Sequence, residues 1–189
     1  RRNRVNGRAD LLDDGRLAVR VEHSFGNCPR YIQARGLLQA PDMSAGDGEV
    51  VRLDHMDMAA REMVRRSDTF FVGSYARLPD GNIQVDASHR GGFAGFVRVQ
   101  SDGRLIIPDF AGNRFFNTLG NIVLTGRAGL TFVDFENGDM LQMTGKAGLV
   151  SDDVDVDFPG AERFWWFQPE IIVRREGGVG LTGSFSEYS

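Results

Sequence analysis

The chain has 189 residues, 41% hydrophobic, 10% aromatic and 25% charged, enough to bury a core in about one domain and too apolar for a disordered polypeptide. A formal charge of −4 argues against a broad nucleic-acid footprint, and no apolar run reaches the roughly 18–20 residues of a membrane span. The single cysteine, Cys28, excludes an internal disulfide and a paired-thiolate metal site, and points to a reducing, cytoplasmic setting. Twenty-four glycines between short apolar runs mark the turns of a β-rich protein. Lys146 is the sole lysine, so an anion site here must use guanidinium, hydroxyl and backbone N–H groups. Residue 1 is Arg with no signal-peptide pattern behind it, and the expectation is that residues precede it.

In chain order, residues 1–39 predict two strands, Arg4–Leu12 and Leu17–Val21 with a charged continuation, joined by the turn Asp13-Asp14-Gly15. Irregular backbone follows at Phe25–Ile32. Residues 40–66 open as a polar linker, Pro41–Gly48, and predict a helix capped by Asp54. Its packing face is Met56, Ala59, Ala60, Met63 and Val64, and Arg65-Arg66 suit its C-terminal end. Residues 67–189 predict strands at Thr69–Ala76, Ile83–Ser88, Phe96–Gln100, Arg104–Ile107, Gly129–Phe135, Met140–Val150 and Arg163–Arg175. Turns at Pro79–Asn82, Ser101–Gly103 and Glu136–Asp139 join three pairs of them. A short helix, about Asn113–Asn121, follows Pro108, and an acidic loop spans Ser151–Gly160. The pattern reads as a closed or nearly closed antiparallel barrel, with a sandwich as the alternative.

A faint repeat aligns Val5–Leu12 with Met143–Val150, both reading Gly, basic, Ala, any, Leu, apolar. If it is genuine, residues 1–39 are the tail of an upstream barrel-like copy of the domain that residues 67–189 complete.

Absent motifs narrow the chemistry. There is no G-x-S-x-G elbow and no complete phosphate-binding P-loop. His23, His55 and His89 are isolated, so no zinc site is expected. Asp153, Asp155 and Asp157 begin like a calcium loop, but Phe158 and Phe164 stand where Gly and Glu are needed. One dense polar stretch remains: Asp86-Ala87-Ser88-His89-Arg90-Gly91-Gly92, then Ile107-Pro108-Asp109-Phe110-Ala111-Gly112-Asn113-Arg114, with Asn117 and Asn121 beyond. If the two strands are neighbours, Ser88, Arg90, Asn113 and Arg114 converge at a helix start, a combination suited to a phosphate dianion. Taken singly, Asn113 reads as a helix cap and Arg90 as a surface charge.

These segments resemble the pyridoxamine 5′-phosphate oxidase-like FMN-binding split-barrel family, as do Gly95-Phe96-Val97, Asn121-Ile122, Arg127–Phe132 and Leu141–Gly145. Arg2–Arg8 and Phe25–Gln33 resemble its pyridoxamine 5′-phosphate oxidase-related FMN-binding branch. The resemblance implies a mainly β fold, a six-stranded antiparallel Greek-key split β-barrel with one or two short helices, forming a homodimer with FMN in an interface groove. It implies phosphate contacts from Arg114, Ser88 and Arg90, with His89 and Asn113 close by and Asn117 a further contact. It places the backbone of Ile107, Pro108 and Asp109 beside the flavin, and Met140, Leu141 and Gln142 where the next strand meets the ring.

Two departures matter. The vitamin-processing oxidase has basic residues ending its second strand and following the phosphate arginine, where this chain has His89 or Arg90 and Phe115. Its C-terminal substrate pattern is only loosely matched by Arg163–Trp166, so pyridoxamine phosphate is not the expected substrate. No general acid or base stands out beyond His89. The expected function is electron transfer between a reduced donor and an unknown small molecule; the alternative is a non-catalytic flavin-binding carrier, sensor or stress-related module. Neither nucleic acid nor a membrane is an expected partner.

Overall fold

The computed structural model describes residues 3–26, 30–39, 48–112, 115–150 and 158–188. Twelve strands and two helices follow one another: β1 (Asn3–Leu11), β2 (Leu17–Gly26), β3 (Gln33–Gln39), β4 (Val50–Leu53), α1 (Met58–Arg66), β5 (Thr69–Arg77), β6 (Ile83–Gly91), β7 (Arg98–Val99), β8 (Leu105–Phe110), α2 (Asn117–Thr125), β9 (Arg127–Val133), β10 (Met140–Leu149), β11 (Ala161–Arg175) and β12 (Leu181–Tyr188). The protein is mainly β, and every described ladder is antiparallel. The sequence fixes several hairpins locally. Gly15 and Gly81 take φ of 78° and 84°, the left-handed conformation that lets Asp-Gly turns reverse the chain.

The main sheet runs β6-β5-β9-β10-β11-β8-β7, with β4 also on β11, so it has eight strands where the resemblance implies six. Among the described residues no ladder joins β6 to β8, and the sheet is open rather than closed. Two ribbons stand apart from it, β1–β2 and β3–β12. Ladders cross the stretches predicted from sequence: β3 from residues 1–39 pairs with β12, and β4 from residues 40–66 pairs with β11.

The core is aromatic and lies inside the curl of the sheet. Phe70 stacks at 5.0 Å on Phe132 and at 5.8 Å on Phe96, with Trp165 tilted against it at 6.4 Å. Val64, Leu105, Ile107, Leu130, Leu141 and Phe167 fill the surrounding space and are fully buried. Burial of such side chains is worth roughly 1.5–3 kcal/mol each.

Several elements depart from expectation. The cap of α1 is Asp57, which accepts from the Ala60 N–H, not Asp54; Met56 is buried ahead of the helix and Ala59 faces out. Pro108 does not end its strand, because β7 covers β8 only as far as Ile106 and an edge tolerates the missing donor. Consequently α2 starts at Asn117 rather than Asn113, and Asn113 and Arg114 lie outside the described residues. So do Cys28 and residues 151–157 of the acidic loop. β6 continues through His89 and Arg90 to Gly91, and β7 shrinks to two residues. No helix among the described residues is long and apolar enough to cross a membrane.

Candidate functional site

The open seam of the sheet is the place to look. β6 and β8 sit five steps apart along the ladder, yet the curl brings their ends together: the Arg90 guanidinium ion-pairs with Asp109 across the gap. Arg163 of β11 reaches the same carboxylate at 3.6 Å. A cleft opens along this seam, lined by Ser88, His89, Arg90 and Gly91 from β6, Pro108 to Phe110 from β8, and Asn117 to Leu119 from α2. Arg4, Phe25, Arg30 and Tyr31 come over it from the N-terminal region.

A second polar system lies under α2. Asp86, buried on β6, accepts from the Arg4 guanidinium, from Thr118 Oγ1 at 3.0 Å and from Asn6 Nδ2 at 3.4 Å. Thr118 in turn shares a 2.8 Å hydroxyl contact with Ser88. A buried carboxylate needs such partners, because an unpaired one costs several kcal/mol. His89 Nε2 lies 2.5 Å from Thr69 Oγ1 and 3.3 Å from Gln33 Oε1.

Aromatic side chains form the rest of the lining. Tyr31 stacks on Phe110 at 4.9 Å and 20°, Phe25 lies 6.0 Å from Phe115, and Arg163 sits 4.5 Å over Phe116. Among the described residues, Tyr31 and Phe116 are the two non-glycine residues with positive φ, at 60° and 53°, and both line this cleft. A bulky residue in that region costs about 1–3 kcal/mol, and such strain concentrates at functional sites. Phe116 is also the N-cap of α2 and offers no side-chain cap, so the first amides of that helix face the cleft end without one. Finally, Arg90 Nε is buried without a hydrogen-bond partner among the described residues.

Of the residues singled out in the sequence, Ser88, His89, Arg90, Pro108, Asp109 and Asn117 line this one cleft. The side chains of Ile107 and Leu141 are buried in the core. Met140 and Gln142 are not in the lining, and Gln142 is exposed on the outer side of β10. Arg90 is engaged by Asp109, and Ser88 by Thr118, rather than standing open as paired phosphate ligands. Sequence reasoning passed over Arg4, Asp86, Tyr31, Phe116 and Thr118 as site residues. Asp86 and Arg4 lay within the quoted motifs, but their ion pair spans 82 positions and leaves no local signal.

Fold and cleft together define an antiparallel β protein with an open seam and an aromatic, ion-paired pocket in that seam. No family model and no curated protein matches the chain. Solved structures that resemble it include HupZ of Group A Streptococcus, 14% identical with a TM-score of 0.45, covering 61% of this chain and 90% of that one. Another is a Clostridium acetobutylicum protein related to general stress protein 26, of the pyridoxinephosphate oxidase family. It is 15% identical with a TM-score of 0.42, covering 69% of this chain and 92% of that one. A third is described as the FAD binding protein from Mycobacterium smegmatis, 14% identical with a TM-score of 0.39, covering 67% and 98%. At these identities and scores the likeness carries nothing about function, which must come from the residues of this chain.

Proposed function

We propose that the seam cleft binds FMN and that the protein is a flavoprotein with a split-barrel fold. The observation that supports this most is the meeting of two strand ends across an aromatic cleft that holds a guanidinium N–H, Arg90 Nε, without a hydrogen-bond partner among the described residues. The donor set fits the cofactor. Tyr31, Phe110, Phe115 and Phe116 offer apolar faces to a planar ring system. The uncapped start of α2, Asn117 and the exposed Arg30 suit an anionic tail, and the sequence resemblance adds Arg114 at that end. When bound, the flavin would supply the redox chemistry. The chain's own residues would bind and orient it, and the Tyr31–Phe110 stack would exclude water from its ring.

A non-catalytic carrier or sensor is the second reading, and one observation favours it. The carboxylates of Asp86 and Asp109 are both ion-paired, and His89 is engaged by Thr69 and Gln33. That leaves little for acid–base work.

Titrating the purified chain with FMN, followed by flavin fluorescence and absorbance, tests the reading. Saturable quenching is expected, and Arg90→Lys should weaken it about tenfold, the worth of one hydrogen bond to a charged group. Arg114→Ala should cost about 1.5–3 kcal/mol of binding on the same ground. Bleaching of the bound flavin by a reduced nicotinamide supports electron transfer, and an inert yellow protein supports the carrier. Absence of quenching with the protein in 100-fold excess over FMN would refute both.

A further inference from the structure

The β1–β2 ladder repeats the β10–β11 ladder pair for pair. Gly7 pairs with Val21 as Gly145 pairs with Pro169; Ala9 with Val19 as Ala147 with Phe167; Leu11 with Leu17 as Leu149 with Trp165. Both ladders slip at the same place, after Asn6 in one and after Thr144 in the other, and the unpaired residue is a glutamate each time, Glu22 and Glu170. Each glutamate lies 3.7 Å from the basic residue after the bulge glycine, Arg8 in one hairpin and Lys146 in the other. A Cβ on Gly7 would lie 2.0 Å from the Arg20 carbonyl oxygen, and one on Gly145 2.0 Å from that of Gln168, the same position. A bulge shared in register, side-chain partner and close approach marks duplicated structure, not chance similarity.

The correspondence continues past the hairpin. Gln33 opens β3 as far beyond Gly26 as Leu181 opens β12 beyond Arg174, the residue matching Gly26. These counterpart strands pair with each other, antiparallel and centred on Gly36 opposite Ser184. Counterparts pairing head to tail about a central position define a local two-fold axis.

The two hairpins differ in burial. Trp165 and Phe167 are fully buried in the core, whereas their counterparts Leu17 and Val19 are 66% and 39% exposed. Every residue from Arg8 to Ser24 is exposed. The opposite face of β1 turns Arg4 and Asn6 toward Asp86, so the apolar face of Ala9, Leu11, Leu17 and Val19 points away from the chain's own body. A two-stranded ribbon is marginal alone, and an amphipathic one with its apolar side in water is a surface awaiting cover.

We propose that β1, β2 and β3 are the closing strands of a second split barrel related to the first by the axis through Gly36 and Ser184. The apolar hairpin face is then the docking surface for a half-barrel equivalent to residues 48–140. The partner's chemistry follows from what covers the counterpart face: a sheet whose inner side carries large apolar residues, as Phe70, Leu130 and Phe132 do here. This proposal does not depend on the ligand assigned to the cleft.

The test is a tandem chain in which a copy of residues 48–140 is fused ahead of Asn3 of the otherwise intact protein. Hydrogen–deuterium exchange of the Arg8–Ser24 amides should slow at least a hundredfold relative to the 189-residue chain. A second tandem chain carrying Leu17→Trp and Val19→Phe restores the counterpart side chains. It should show a higher unfolding midpoint than the first, while the same pair leaves the 189-residue chain unchanged. Hairpin amides that exchange as fast in both tandem chains as in the 189-residue protein would overturn the proposal. So would concentration-dependent protection in the 189-residue chain, which would make a second copy of the hairpin the occupant.

Discussion

Removing Arg4 should uncouple the N-terminal hairpin from the main sheet, and the size of the effect follows from burial. The Asp86 side chain is 3% exposed and that of Arg4 17%. Breaking a buried ion pair by deleting one partner costs about 3–5 kcal/mol, because the other charge is left without compensation. Thr118 and Asn6 still donate to Asp86, and Arg4 is partly in reach of water, so Arg4→Met should cost about 2–3 kcal/mol. The Asp86→Asn exchange removes the charge, so the double variant should recover about 1–2 kcal/mol relative to additivity. Urea unfolding followed by the fluorescence of Trp165 and Trp166, both on the central strand β11, measures each corner of the cycle. Limited proteolysis should cut the Arg4→Met hairpin faster at Arg16 and Arg20. A cost under about 0.5 kcal/mol, or a coupling within about 0.3 kcal/mol of zero, would refute the view that this pair anchors the hairpin.

Other outcomes are expected elsewhere. Burial raises the Asp57 pKa, but hydrogen bonds from the Ala60 N–H and Arg174, with the nearby positive charges of Arg174 and His55, outweigh it and hold the carboxyl below its ordinary value. The unfolded chain therefore binds the proton more readily. The stability Asp57 contributes is complete above about pH 4 and is lost as pH falls through the folded-state value. Asp57→Ala should cost about 1 kcal/mol at pH 7, and the difference from the parent should narrow in urea melts taken below pH 3. Gly145→Ala places a methyl 2.0 Å from a backbone carbonyl in the middle of β11 and should cost about 1–3 kcal/mol by thermal denaturation. Phe132→Ala, which removes one of the rings packed on Phe70, should cost about 3–5 kcal/mol in the same assay.

What the sequence revealed was whatever depends on neighbours along the chain. The Asp-Gly turns located the hairpins β1–β2 and β5–β6, and the Asn137-Gly138 turn located β9–β10, because positive φ is a local demand. The packing face of α1 was visible for the same reason in Ala60, Met63 and Val64, whereas its cap was misassigned to Asp54. Asp57 prevails because it stands three residues before an open amide and beside Arg174. β3 and β12 carried no such mark. They are mixed-polarity segments about 150 positions apart that become strands by pairing with each other. The start of α2 was misplaced because Pro108 reads as a strand breaker until one knows that β8 has an uncovered edge there. Within the site, the β6 and β8 motifs could be named from sequence, but the ion pairs engaging Arg90 and Arg4 depend on the curl of the sheet.

The curl also sets the mechanical character of the cleft. Its two walls are tied by a charge pair, Arg90 to Asp109, while the ladders β5–β6 and β8–β11 run behind them. Widening the gap at this point separates a side-chain pair rather than a ladder, and the pair, with the Asp109 side chain 7% exposed, is little screened by salt. The rigid frame and the adjustable opening are thus carried by different kinds of bond, so substitutions can retune one while leaving the other as it is.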